Sequence, residues 1–327
     1  MNMLTGCVGF IGSNLLDELM KREEDVLGYD VDRNRRWVLE KHSKYPLTPG
    51  FYTCENNNLK VIWDNIKNLN SYHYLYDNLD TIYHLAAASD IKKSKTEPWL
   101  DVETNINGTF KILEMMRKKD IKNIIFTSTS VVHGENAPKP TPEKGIDFDP
   151  ISLYSASKVS AEMLIRAYSH TYGIKGWIFR FANVIGKNQR RGVIVDFFKK
   201  IKENPKELEI LGNGKQYKSY VHVSDCVNAM IEIPKKDKNK SVEVYNIATW
   251  DGKTVTELAD IMMDELKLNP KYKYTGGDRG WVGDVPVVDL SIDKAIKTGW
   301  EPKLDSERAI RRAVKELKEK SKVRRKV

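Results

Sequence analysis

The stretch LTGCVGFIG (4–12), almost at the start of the chain, is what most limits how it can fold. Glycines stand at 6, 9 and 12, after a short apolar run and ahead of an amphipathic one. Strand, glycine loop, helix is the order in which backbone N–H groups meet a phosphate at a helix N-terminus. With no side chains at Gly6, Gly9 and Gly12, backbone approaches phosphate and helix approaches strand. A plain tight turn would show the same spacing. Asp30 argues for the phosphate loop: it ends the next apolar run, DVLGYD (25–30), 18 residues beyond Gly12. A carboxylate there accepts the hydroxyl hydrogens of an adenosine ribose.

Asp30 repels a 2′-phosphate and so favours NAD, whereas Arg33, Arg35 and Arg36 just beyond it would attract one. Asp64 and Ile66 stand where an adenine would be flanked, a reading no stronger than an ordinary polar strand end.

Short apolar runs alternate with amphipathic stretches through the first half, the rhythm of a parallel sheet covered by helices. Strands are expected at MNML, 25–30, 58–64, 79–87, 121–130 and 175–181. Helices are expected at 10–21, about 98–118 and about 152–172; residues 33–57 read only as a basic, polar connection. The expected class is α/β, a Rossmann-type doubly wound sheet over 1–181 with a smaller C-terminal α/β lobe over 182–327. Residues 220–248 are expected to return to the first lobe. Helices at 254–268, capped by Thr254 or Thr256, and at 306–320 belong to the second.

The net charge of +9 raises nucleic acid as a partner. Seven basic residues and two glutamates between Lys315 and Lys326, a net of +5, put most of that excess in a solvated tail, 315–327. Nucleic acid is therefore not an expected partner, a non-catalytic NAD- or RNA-binding protein being the remote alternative. No membrane is expected, because no apolar run is long enough to cross a bilayer. Three distant cysteines, Cys7, Cys54 and Cys226, read as free thiols in a reducing cytoplasm, without metal-site spacing.

Tyr154 and Lys158, four apart at the start of an expected helix, share one face. A phenol is a weak base near neutrality, and an ammonium beside it, or a cationic nicotinamide, lowers its pKa. Thr129 ends the fifth strand 25 residues earlier, at the carboxyl edge where such sheets build sites. Its hydroxyl would hold a substrate hydroxyl beside the tyrosine. On a lone surface helix, Tyr-x-x-x-Lys would mean little; the three residues together point to hydride chemistry.

The chain resembles the extended short-chain dehydrogenase/reductases, the NAD-dependent nucleotide-sugar epimerase/dehydratase family, over almost all its length. TGCVGFIGSNLLDEL, YHLAA, NINGT, FTSTSVVHG, PISLYSASKVSAE, RFANVIG, LEILGNGKQYKSYVHVSDC and RGWVGDVPVVDLSIDKAIKTGW carry the likeness. Within the family it is most similar to UDP-glucose 4-epimerases of the archaeal type. The resemblance implies that Thr129 binds the sugar 4-hydroxyl, that Tyr154 is the base, and that Lys158 holds the nicotinamide ribose. It implies NAD contacts from Phe10, Ile11, Asp64, Asn65, Ile66, Leu85, Ala86, Ala87, Asn105, Thr127 and Phe181, beside the glycines and Asp30. It also implies a nucleotide-sugar site from Ser128, Asn183, Gly192, Val193, Lys218, Arg279, Asp284 and Val288. Lys218 stands where many relatives carry an arginine and neutralises phosphate without the bidentate grip.

Two departures read as packing substitutions: His133 for a tyrosine, and Cys7 for a small loop residue. A thiol near a helix N-terminus could instead be acidified. Family dehydratases carry an Asp-Glu pair after the threonine, and decarboxylases a Glu at its second position; here Ser130 and Val131 follow Thr129. The resemblance therefore implies C4 epimerisation of a UDP-hexose, with dehydratase, decarboxylase or 4-ketoreductase as alternatives. Val288 leaves room for acetamido sugars. A homodimer built on helices 98–118 and 152–172 is implied as well.

Overall fold

The computed structural model describes residues 1–42, 58–237 and 241–323. Cys54, residues 43–57 of the 33–57 connection and the end of the basic tail, 324–327, lie outside them. Strands β1 (Asn2–Thr5), β2 (Val26–Asp30), β3 (Leu59–Trp63), β4 (Thr81–His84), β5 (Asn123–Thr129) and β6 (Lys175–Phe181) come first. Then follow β7 (Asn183–Ile185), β8 (Glu207–Ile210), β9 (Tyr217–Lys218), β10 (Tyr220–His222) and β11 (Val242–Ile247). The last are β12 (Lys253–Thr254), β13 (Lys271–Tyr274) and β14 (Val287–Val288).

Seven strands form one parallel sheet in the order β11-β6-β5-β4-β1-β2-β3. β1 pairs with both β2 and β4, so the chain reverses its direction of winding at β1, where such sheets bind dinucleotides. Helices α1 (Phe10–Lys21), α2 (Ile91–Thr96), α3 (Gly108–Lys118) and α4 (Leu153–Tyr172) accompany the sheet. Met3, Leu27, Ile82, Ile124 and Phe126 bury one core with Ile112 and Met116 of α3 and Ala161 and Ile165 of α4.

The chain divides into two compact units, Met1–Val132 with Ser152–Phe179 and Asp237–Val244, and the remainder. In the second unit, α5 (Val193–Glu203), α6 (Val223–Lys236), α7 (Val255–Leu266), α8 (Asp293–Lys297) and α9 (Ser306–Val323) accompany the short strands. Phe197, Leu208, Tyr220, Leu258, Met262 and Ile310 form its core.

Residues 220–236, expected to return to the first lobe, belong to the second unit, because β10 pairs with β7. Only β11 reaches the main sheet. Residues 133–151 also fall in the second unit. His133 accounts for this: it stacks on Phe148 at 5.3 Å, donates from Nδ1 to the Asp147 carbonyl and accepts from Arg180 at 2.7 Å. It packs, as the sequence suggested. The expected long helix is π-helical from Asp101 to Asn107 before α3 begins, a widening common at functional sites.

Capping explains where the helices begin. Ser152 and Ser155 form a reciprocal box at α4, which Gly173 closes in the left-handed region at φ 70°. Thr254, not Thr256, caps α7, in a box with Glu257. Thr254→Ala is expected to lower the unfolding free energy by about 1 kcal/mol, measured by urea denaturation, with NAD affinity unchanged.

Candidate active site

The opening loop is built for close approach. Gly6 has φ 72°, and a Cβ there would stand 2.9 Å from the Ala86 amide nitrogen. A Cβ on Gly12 would meet the Gly6 carbonyl oxygen at 1.9 Å, so α1 could not begin where it does. Phe10 and Ile11 form its first turn. Asp30 ends β2 with Oδ2 on the Val8 amide and Oδ1 on the Asp32 amide, both near 3 Å. Burial raises its pKa. Each oxygen keeps lone-pair capacity for a ribose hydroxyl. These residues fit a dinucleotide. Arg33 donates to the Trp63 carbonyl at 3.1 Å.

Cys7 is fully buried, and burial with the Asp30 charge pushes its thiol pKa well up. It is therefore a packing residue, filling the space left by Gly28, where a Cβ would lie 2.9 Å from Sγ.

The β4 end is held by a directional chain. Thr109 donates to the Asn105 carbonyl at 2.6 Å, so its oxygen accepts from Nε2 of His84 at 3.0 Å. Nδ1 of His84 then accepts from Thr5 at 2.9 Å, and Thr5 accepts from the Leu85 and Ala86 amides. Burial and the Lys158 charge push the His84 pKa down to about 3. Asn105 does not present its amide to an open site: it donates to the Ala88 carbonyl and Ser157 Oγ and accepts from the Ala88 amide. Beyond β3, Asp64 accepts from Asn65 and Asn68, and Asn65 accepts from Tyr29. Ile66 is buried beneath Gly108. Ala87 follows Ala86, half-buried.

Lys158, 3% exposed, joins α4 to β5: Nζ donates to the Thr127 carbonyl at 2.8 Å and lies 4.5 Å from the Phe126 ring centre. Burial brings its pKa down to about 8, against the opposing charges of Glu162 and Asp101. Thr129 is half-buried at the end of β5, and Tyr154 half-buried in the first turn of α4. Burial and the Asp101 charge push Tyr154 up to about 12. The lowering that the sequence led one to expect from Lys158 is not seen in the chain alone, where loss of hydration and the Asp101 charge decide. Ser128 turns inward and donates to the buried Glu162 at 2.5 Å.

In the second unit, β9 pairs with β14 so that Lys218 lies beside the buried Val288. Lys218 pairs with Asp284, which also accepts from the Gly280 amide, and Arg279 is held by both oxygens of Glu135. Asn183 joins this group through Ser219, whose carbonyl accepts its amide and whose amide donates to the Val288 carbonyl. Gly192, at φ 96°, precedes Val193 at the start of α5, and Phe181 is buried at the end of β6. Among the described residues, no group of three His, Cys, Asp or Glu forms a metal site, and no helix is long and apolar enough to cross a membrane.

Residues 3–248 match the model of the NAD dependent epimerase/dehydratase family. The chain belongs to that family. It is 32% identical, over 97% of its length and 98% of the relative's, to a Methanocaldococcus jannaschii protein assigned provisionally as a UDP-glucose 4-epimerase. The UDP-glucose 4-epimerase of Thermotoga maritima, solved with UDP-glucose, superposes with a TM-score of 0.84 at 30% identity, covering 98% of this chain and all of the other. A UDP-N-acetylglucosamine 4-epimerase from Methanobrevibacter ruminantium gives 0.84 at 26% identity, covering 98% of each chain. NAD is thus the cofactor.

Asp101, His84, Glu162 and Glu135 escaped the sequence reading. Glu162, one helical turn past Lys158, and Asp101, four residues before Asn105, offered only a spacing.

Two outcomes follow. Because folded His84 stays neutral to about pH 3, the unfolded chain binds the extra proton below about pH 6.5, and stability falls as pH drops through that window. Its share approaches about 1.4 kcal/mol per pH unit, and His84→Gln should show a shallower loss in urea denaturation between pH 7 and 5. Peptide mapping after native iodoacetamide treatment should find Cys7 and Cys226 unmodified, both being buried.

Proposed function

We propose that the chain is a UDP-hexose 4-epimerase, interconverting UDP-glucose and UDP-galactose. The observation that carries this reading is the Tyr154–Lys158 pair seated against the end of β5, where Ser130 and Val131 supply no second acid or base after Thr129. The names of the relatives support the substrate class.

In this reading the glycine loop and Asp30 hold NAD, which when bound exchanges a hydride with the sugar C4 and contributes a positive charge. Tyr154 takes the proton from the 4-hydroxyl and later returns it; Thr129 orients that hydroxyl. Lys158, anchored on Thr127, supplies the fixed ammonium that favours the phenolate. Lys218, Arg279 and Asn183 bind the nucleotide diphosphate, whose charge competes with Asp284 and Glu135 for the two cations. Val288 leaves space for an N-acetyl group at C2. Exposed Phe110 on α3, with Leu153, Met163 and Tyr172 on α4, supports a homodimer through these helices. The buried free thiols support a cytoplasmic setting.

Incubation with a panel of nucleotide sugars, without added reductant, should give 4-epimers of unchanged mass. Loss of water or of carbon dioxide, read by mass spectrometry, would assign a dehydratase or a decarboxylase instead. Tyr154→Phe should lower kcat by about 10²-fold or more while NAD binding persists.

A further inference from the structure

An acid that the reading above does not use is tied to the first turns of α4: Asn105 donates both to Asp101 Oδ1 and to Ser157 Oγ, whose hydroxyl donates to the Tyr154 carbonyl. Asp101 opens the π-helical segment and is 1% exposed. Its Oδ1 accepts from Asn105 at 3.3 Å, while the nearby Ser94 hydroxyl donates to the Asp90 carbonyl. Its Oδ2 has no hydrogen-bond partner. A buried carboxylate oxygen left without a partner is costly, so its charge must be compensated by other means.

The surrounding charges show where that compensation lies. Asp101 interacts favourably with the Lys158 ammonium and unfavourably with a Tyr154 phenolate, both on α4. Glu162, further along α4, accepts from Ser128. His84 on β4 stays neutral. Lys93 and Lys95 on α2 are exposed, Lys93 being paired with Glu97, and Glu103 of the π segment pairs with Lys67.

We propose that Asp101 is a positioning residue of the proton-transfer site, whose buried carboxylate sets how readily Tyr154 yields its proton and keeps the Lys158 ammonium charged. This rests on the reading of Tyr154 as the acid–base group. The carboxylate opposes the phenolate, so neutralising it makes Tyr154 the stronger acid and Lys158 the weaker base. Burial lifts the pKa of Asp101 itself, so it becomes neutral at a higher pH than an exposed aspartate.

The test is NMR titration of the full chain labelled with [¹³Cζ]tyrosine, using Tyr154→Phe to assign the signal. In the wild-type protein the Tyr154 resonance should carry a second inflection at a pH above that of an exposed aspartate, which Asp101→Asn abolishes. The principal Tyr154 titration should move to lower pH in Asp101→Asn by roughly half a unit or more, and Asp101→Glu should largely restore it. Both limbs of the kcat/KM profile should move to lower pH in the same variant, whereas a merely structural role would lower the rate without moving them. Absence of the carboxyl inflection in the wild type, or an unmoved Tyr154 titration in folded Asp101→Asn, would overturn the proposal. The NMR readouts need no turnover, so failure of the epimerase reading would appear separately, as missing product with the Tyr154 coupling intact.

Discussion

A lysine ammonium taken out of water is the constraint around which the site is arranged. Lys158 donates to one backbone carbonyl and lies over one aromatic ring, and the charges of the buried Asp101 and Glu162 favour its ammonium. Removing such a charge from solvent is tolerable only when hydrogen bonds and opposite charge replace hydration. The replacements come from β5, from α4 itself and from the π-helical segment, so the ammonium ties three elements together. The same low-polarity surroundings hold Tyr154 protonated in the chain alone.

The sheet's point of reversal supplies a second fixed frame. β1 lies between β2 and β4, and the loops after all three converge. The Gly6–Gly12 contact sets how near α1 comes to β1, while the chain Thr5–His84–Thr109 fixes the β4 end to the first turn of α3. Asn105 then carries that order to the Ala88 loop and to Ser157 on α4. β1, the loop after β4 and the first turns of α4 are thereby joined through hydrogen bonds.

Much of this was legible in the chain. The glycine loop, Asp30, Thr129 and the Tyr154–Lys158 spacing are local patterns, and β6 and α1 appear with the bounds that periodicity marks. Less legible was anything that depended on a distant neighbour. Ser128 was expected to face substrate, yet its hydroxyl turns to Glu162, 34 residues away. Asn105 was expected to line the nicotinamide side, yet its amide is consumed by Ala88 and Ser157. The π-helical turn leaves no mark in an apolar pattern of helical period.

By itself the sequence determined the fold class, the glycine loop between β1 and α1, and the spacing that sets Tyr154 and Lys158 on one face of α4. Those follow from spacing along the chain, where strand, turn and helix geometry translate residue number into direction. Tertiary structure decided which polar groups remain available and how each ionises. It made Cys7 inert, kept His84 neutral, gave His133 to Arg180 and left one oxygen of Asp101 without a partner. Burial and hydrogen-bond partnership depend on residues far apart in sequence, and only the folded chain brings them within reach.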